Sequence, residues 1–229
     1  MSNLRSTLWV VFLMISVRCA LAESAAMVGW PMLADAGAQQ FDDPYRELTP
    51  SQFESLMTLA RLRLTLDGGT AVQERADLEK RAAELARDLQ HQGLDADWIL
   101  AQREAVAARR QHAALAINTT LEGEFVELSG YLLVARDTQA GEWVTYLLPD
   151  RGVCMHLPPP PPNQTIKLVI HKLPEPLGAC IATAVRGRLS ANEARYTVPI
   201  LDDTVSLWSR WRMEVDEAVT AGTLSADKD

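Results

Sequence analysis

The sequence predicts an α+β protein with an N-terminal helical module, a small five-stranded OB-like β-barrel and a C-terminal helix. Three observations predict this fold class. Apolar residues recur at helical spacing between residues 47 and 117. After Asn118 the apolar period changes to two, over five short runs with turn residues between them. Gly130 and Gly187 stand inside two of these runs, where a small barrel needs a sharp bend or a bulge.

The helical module is predicted from capping signals and apolar stripes. Thr49 and Gln52 form a capping box at the start of a first helix, which ends at the glycine pair 68–69. Further helices are predicted over residues 72–92 and, after an aspartate cap, over residues 95–117. Because each helix combines one apolar stripe with charged residues elsewhere, we interpret the stripes as core between packed helices.

The period-two runs define the predicted strands, which are residues 124–134, 142–148, 165–171, 183–189 and 195–200. Pro199 has no amide donor, so the last strand is expected to end or to lie at an edge there. A final helix is predicted from Asp203, because Leu207, Trp211 and Val215 recur every four residues.

The predicted organisation has five parts. They are a signal peptide (1–22), an irregular lead-in (23–46), the helical module (47–117), the OB-like barrel (118–203) and a C-terminal helix with its tail (204–229).

The first residues predict export. Arg5 precedes an apolar run over residues 8–17, and Ala20-Leu21-Ala22 matches a cleavage site before Glu23. We therefore expect a periplasmic mature protein. A retained membrane anchor and a lipoprotein linked through Cys19 are the alternatives, and no later segment is apolar enough to cross a membrane.

Charge and motifs argue against two function classes. Removal of residues 1–22 takes away two of the 22 basic residues and none of the 30 acidic ones, which leaves a formal charge of −10. Without a basic run, binding to nucleic acid is not expected. The motifs of serine hydrolases, zinc peptidases, P-loop NTPases and dinucleotide-binding enzymes are absent from the sequence, so we do not expect an enzyme.

Residues 152–164 contain the most unusual pattern of the chain, five consecutive prolines followed by Asn163 and Gln164. Consecutive prolines favour a polyproline II rod, here roughly 15 Å long at about 3.1 Å per residue. Two interpretations remain open. The rod is a stiff crossover between the second and third strands, or it is a ridge that docks into an aromatic groove of a partner.

Cys154 and His156 precede the prolines and would lie on one face of an extended segment. Together they could bind a soft metal such as zinc or copper, with a third ligand from His171, Cys180 or a carboxylate. A Cys154–Cys180 disulfide, a buried free cysteine beside a hydrogen-bonded histidine, and a Cys–His nucleophile pair are the alternatives.

The same region resembles a bacterial family of unknown function. The resemblance rests on Gly130-Tyr-Leu-Leu, Tyr146-Leu-Leu-Pro and Cys154-Met-His-Leu with the following PPPPPNQ. It covers about residues 118–200, with Val153 and Met155 where the family has Ala and Ile. The preceding helices resemble an N-terminal extension seen in some members.

This resemblance implies a role at the cell envelope. Members are similar to periplasmic proteins or lipoproteins and are often encoded beside ABC permeases of the macrolide-exporter type, sometimes in metal-regulated clusters. The implied function is an accessory or binding module of an envelope transport system, with Cys154, His156, Asn163 and Gln164 as the binding site. A metal-binding protein that uses Cys154 and His156 is the alternative. Cys180 has no counterpart in the family.

Overall fold

The structure, a computed structural model, describes residues 24–69, 72–152, 157–171, 180–200 and 203–220. Within these ranges the chain is an α+β protein, with four helices followed by most of a six-stranded mixed sheet. The helices are α1 (Pro50–Asp67), α2 (Val72–His91), α3 (Ala96–Ala101) and α4 (Arg103–Leu115). In this described part, no helix is both long enough and apolar enough to span a membrane.

The capping box predicted for α1 is confirmed. The Thr49 hydroxyl accepts a hydrogen bond from the Gln52 amide at 3.3 Å, and the Gln52 side chain accepts one from the Thr49 amide at 2.9 Å. Two otherwise unpaired donors are satisfied in this way. The amide of Gly68 closes the other end by donating to the carbonyls of the last turn.

The single helix predicted up to residue 117 is wrong, since the chain forms α3 and α4 with a break at Gln102. The two pieces serve different cores. Ile99 packs with the α1–α2 cluster, whereas Ile117, just after α4, packs in the core of the sheet. One straight helix could not contact both of these cores. The break at Gln102 allows α4 to turn towards the sheet.

The strands are β1 (Ala26–Met27), β2 (Phe125–Arg136), β3 (Trp143–Leu148), β4 (Ile166–Val169), β5 (Ile181–Ile200) and β6 (Asp203–Thr220). They are ordered β1-β2-β3-β4-β6-β5, with β1–β2 and β4–β6 parallel and the other pairs antiparallel. Because β2 also pairs with β5, the pairings run in a ring.

The predicted fold class is wrong in two respects. The described sheet has six strands rather than the five of the expected OB-like barrel, and the predicted C-terminal helix from Asp203 is strand β6. The two predicted strands 183–189 and 195–200 are one continuous strand, β5. β5 and β6 pair as one antiparallel hairpin on the two sides of residues 201–202, which lie outside the described part of the chain.

The error at β6 has a simple geometric cause. A separation of four residues returns to the same face both in a helix and in a strand, so the spacing of Leu207, Trp211 and Val215 fits either. Ser209 and Met213, which lie between them, are also fully buried. Burial at every second residue is the period of a strand, and it is completed by partners far away in the sequence.

Gly187 occupies an irregular position in the long hairpin, as its place inside a strand pattern predicted. The β5–β6 register shifts between Arg186 and Gly187, and again between Ala191 and Ala194. A Cβ atom at residue 187 would collide with the carbonyl oxygen of Glu214. Only glycine permits this close approach of the two strands.

Two apolar clusters lie on opposite faces of the sheet. Leu132 belongs to the main core inside the ring, and its neighbour Leu133 belongs to the second cluster, since successive strand residues point to opposite faces. Val198 and Leu207, from the far half of the β5–β6 hairpin, cover that second cluster. The β5–β6 hairpin, which has two register shifts, thus contributes residues to the apolar clusters on both faces of the sheet.

The lead-in, predicted to be irregular, packs between the helices and the sheet. It contains β1 and two 3-10 turns, Trp30–Leu33 and Pro44–Glu47. Leu33 is fully buried in the main core, and its carbonyl accepts a hydrogen bond from the Trp211 indole at 3.2 Å. This packing brings residues 34–46 against α4, next to the end of the proline segment.

Candidate functional site

Of the four predicted binding residues, Asn163 and Gln164 are described, whereas Cys154 and His156 lie outside the described residues. Asn163 and Gln164 belong to a 3-10 turn, Pro162–Gln164, that separates the prolines from β4. The structure therefore describes the C-terminal end of the predicted site, which contains Asn163 and Gln164.

Asn163 is 1% exposed and closes the C-terminal end of α4. Its side-chain amide donates hydrogen bonds to the carbonyl oxygens of Ala113 and Ala116, both at 2.7 Å. Carbonyls at a helix end have no partner within the helix, and a buried one is costly unless another donor reaches it. Gln39 donates to the Ala113 carbonyl at 2.7 Å and the Asp35 amide to the Ala116 carbonyl at 3.2 Å. Asn163 adds a buried donor to both carbonyls and fixes the proline segment to the helical module.

Gln164 forms a second attachment. Its side-chain amide donates to the carbonyl of Trp30 at 2.8 Å, which connects the turn to the lead-in. Its backbone amide donates to the carbonyl of Pro161 at 2.8 Å. The end of the proline segment is thus held by α4 on one side and by the lead-in on the other.

The segment Leu157–Pro161, here named the proline ridge, lies at the surface. Pro158, Pro159 and Pro161 are exposed, and Leu157 is 59% exposed. Pro161 has φ −62° and ψ 154°, which are polyproline II values. The ridge therefore combines exposed apolar surface with a stiff backbone and a fixed end.

An open cleft of about 410 Å³ adjoins the fixed end of the ridge, and we name it the anchor cleft. Phe41, Arg46 and Arg110 line one side, and Asn163 and Gln164 line the other. Alanine and proline side chains make up most of the remaining wall. The cleft thus has apolar walls and two cationic groups.

Asp43 positions both arginines of the anchor cleft. Its side chain is 1% exposed, and Arg110 donates to it through Nε and Nη2 at 2.7 and 3.0 Å. Arg46 Nε lies 3.3 Å from the same carboxylate, and its guanidinium lies over the Phe41 ring at 4.6 Å. The hydrogen bonds from Arg110 hold the pKa of Asp43 below its usual value against the opposing effect of burial.

Two of the residues considered as a third metal ligand are described. His171 is exposed, and Cys180 is buried and disulfide-bonded, with its partner cysteine outside the described residues. Among the described residues, no three His, Cys, Asp or Glu side chains are grouped so that they could hold a metal ion.

The sequence did not point to Phe41, Asp43, Arg46 or Arg110. Asp43 before Pro44 is a local capping signal, and its carboxylate does accept from the Tyr45 amide at 3.2 Å. Its pairing with Arg110 spans 67 residues, and no spacing rule predicts a contact of that range.

Fold and site together define a small α+β protein with a surface proline ridge anchored beside an arginine-lined cleft. The chain belongs to the family described as "Protein of unknown function (DUF3299)", whose profile matches residues 45–205. The expected membership of a family of unknown function is thereby confirmed. The match is wider than the resemblance over residues 118–200, because it includes all four helices.

One similar solved structure is a DUF3299 family protein from Pseudomonas aeruginosa PAO1. It is 25% identical, the similarity covers 54% of this chain and 79% of that chain, and the TM-score is 0.37. No curated protein matches the chain.

Proposed function

We propose that the mature chain is a periplasmic accessory module that docks onto an ABC-type permease of an envelope transport system through the proline ridge. The observation that carries this proposal is the combination of exposure and anchorage in the ridge. Three of its prolines face outwards, while Asn163 and Gln164 fix the adjoining turn through their hydrogen bonds.

The physical basis is a low entropic cost of binding. An extended proline segment loses little conformational freedom when it docks, because the free chain already has the bound shape. Proline-rich segments are recognised by grooves lined with aromatic side chains. A plain crossover between β3 and β4 would not require an exposed apolar surface, so the outward prolines favour the docking interpretation.

The compartment follows from the N-terminal sequence. The apolar run over residues 8–17 and the Ala20-Leu21-Ala22 site support export with a mature N-terminus at Glu23. The permease as partner comes from the family resemblance, in which such genes lie next to members. A purely non-catalytic role, with no binding of nucleic acid, is part of the same proposal.

The test is recovery of the permease with the tagged protein from envelope membranes of the native host. We expect the permease in the wild-type sample and its loss when Pro158 and Pro159 are both changed to serine. Pro199→Ser is the matched control, because Pro199 is also exposed but lies in β5, outside the ridge. Equal recovery with all three proteins, or no permease with any of them, would reject the proposal.

A further inference from the structure

The anchor cleft has more positive charge than the neighbouring carboxylate neutralises. Arg46 and Arg110 share the single carboxylate of Asp43. Among the residues that line the cleft, none is acidic. The cleft therefore has a local excess of one positive charge, although the chain as a whole is acidic, with a net charge of −8.

The two guanidinium groups also keep donors for a ligand. Arg110 uses Nε and Nη2 for Asp43, and its Nη1 group makes no hydrogen bond within the described part of the chain. Arg46 approaches Asp43 through Nε, and among the described residues its two terminal nitrogens have no acceptor. The side chains of Arg46 and Arg110 are 59% and 50% exposed, so these groups are accessible.

Both cations are held in position before any ligand arrives. The buried carboxylate of Asp43 fixes Arg110 by a two-point contact, and the Phe41 ring lies under the Arg46 guanidinium. Fixed donors lose little side-chain entropy on binding, which makes each hydrogen bond to an anion more effective. The arrangement resembles the fork geometry with which arginine receives carboxylates.

The other residues that line the cleft indicate what kind of group would carry the anion. Beside the two arginines, the cleft is lined by the Phe41 ring and by alanine and proline side chains, together with the amide side chains of Gln39, Asn163 and Gln164. A volume of about 410 Å³ is at the small end of the range of ligand sites. A bare inorganic anion would leave these apolar walls in water, whereas a carboxylate on an apolar body would cover them.

We propose that the anchor cleft binds a carboxylate carried on a small apolar body, with the carboxylate on Arg46 and Arg110 and the body against Phe41. Two sources share this chemistry, a free carboxylic acid and the C-terminal carboxylate of a polypeptide. The inference concerns the isolated protein and does not depend on docking by the proline ridge.

The test is calorimetric titration of the full mature protein with N-acetylphenylalanine, with its C-terminal amide and with inorganic phosphate. We expect the acid to bind, and the amide and phosphate to bind at least roughly tenfold more weakly, since hydrogen bonds to charged groups contribute about 1.5–3 kcal/mol. Equal affinity for acid and amide, or for acid and phosphate, would overturn the ligand class. Absence of binding by the acid at every soluble concentration would overturn the site.

Two arginine variants locate the carboxylate. Arg46→Gln leaves the two-point Asp43–Arg110 contact in place and should weaken binding of the acid roughly tenfold. Arg109→Gln is the matched control, because Arg109 lies on α4 outside the cleft lining and donates to the Asp42 carbonyl. An equal loss in both variants would attribute binding to the general field of the surface and contradict the proposal.

A peptide that ends in phenylalanine separates the two sources. Tighter binding of the peptide than of N-acetylphenylalanine would indicate a polypeptide C-terminus, and weaker binding a free acid. The Pro158→Ser/Pro159→Ser protein should bind the acid like the wild type, so a failure of ridge docking and a failure of carboxylate binding can be told apart.

Discussion

Asn163 shows how one buried amide can join two parts of the molecule. It satisfies two carbonyls at the end of α4 from a turn that lies 47 and 50 residues later in the chain. The sequence and the family resemblance predict that Asn163 belongs to a binding site. Its 1% exposure and its two hydrogen bonds indicate that it positions the ridge and the cleft. Direct contact with a partner is more readily made by the exposed prolines beside it.

We expect Asn163→Ala to lower the free energy of unfolding by about 2 kcal/mol, because two buried hydrogen bonds to the end of α4 are lost. Gln164→Ala is the matched comparison, since it removes one bond from a half-buried side chain, and we expect about 1 kcal/mol. Urea unfolding of both variants measures the difference. A loss for Asn163→Ala no larger than for Gln164→Ala would show that Gln39 and the Asp35 amide, which donate to the same two carbonyls, are sufficient for them.

Asp43 gives the protein an acid-sensitive contact. Its pKa is lowered in the folded state, so folding favours the carboxylate form. The stability from this contact is fully present above the ordinary aspartate pKa of about 3.9 and is lost as the pH falls through that value towards the lowered pKa. The pairing of Arg46 and Arg110 with Asp43 should weaken over the same range.

The expected result is a smaller loss of stability in Asp43→Asn than in the wild type when urea unfolding is compared between neutral pH and about pH 3. At neutral pH the variant should be the less stable protein, because Arg110 keeps no anionic partner there. Asp137 makes the stability of both proteins depend on pH as well, since hydrogen bonds from backbone amides, chiefly that of Ala140, lower its pKa. Parallel pH profiles for the two proteins would contradict the assignment to Asp43.

At the level of elements, local signals predicted the two ends of α1 correctly, whereas they did not predict that β6 is a strand. The capping box of α1 and the glycine after it act within a few residues, so they could be recognised from the sequence. β6 could not, because its pattern of Leu207, Trp211 and Val215 fits two periods, and pairing with β4 and β5 decides between them. The short strand β1 depends on its partner β2 in the same way.

The same reasoning separates the two halves of the site. The proline run and the following Asn163 and Gln164 stand together in the sequence, so they could be chosen as candidates. The anchor cleft could not, because Asp43 and Arg110 meet only after the lead-in has packed on α4. Contacts that depend on the packing of distant elements leave no periodic signal in one sequence.

The β5–β6 hairpin should be sensitive at Gly187. We expect Gly187→Ala to destabilise the protein by about 2–3 kcal/mol, because the new Cβ would meet the Glu214 carbonyl and lie 2.9 Å from Met213 Cγ. Gly29→Ala is the control, since its nearest neighbour, Pro31 Cδ, is at an ordinary 3.7 Å, and we expect a change within about 0.5 kcal/mol. Similar thermal unfolding of both variants would show that the hairpin can relax at residue 187.

For the whole molecule, a disulfide between Cys154 and Cys180 would close a loop around the proline ridge. Cys180 is disulfide-bonded, and cleavage of the predicted signal peptide would remove Cys19 and leave Cys154 as the other cysteine. In that arrangement Asn163 would anchor the loop about one third of the way from Cys154 to Cys180. A loop of this length would contribute roughly 3 kcal/mol to stability in the chain-entropy account.

Peptide mapping by mass spectrometry without reduction checks this pairing on the protein isolated from fractionated cells of the native host. We expect the peptides that contain Cys154 and Cys180 to be linked and the mature chain to begin at Glu23. Two free thiols in the native protein would contradict the disulfide prediction, and an N-terminus at Met1 in a membrane fraction would contradict the export prediction.

The most direct test of the account is complementation of a deletion strain by variants of the exposed ridge, with thermal unfolding of each purified protein measured alongside. The account predicts that Pro158→Ser/Pro159→Ser unfolds close to the wild-type temperature but does not restore the function of the transport system, whereas Pro199→Ser restores it. Full complementation by a stably folded ridge variant would contradict the account and make the proline segment a crossover between β3 and β4.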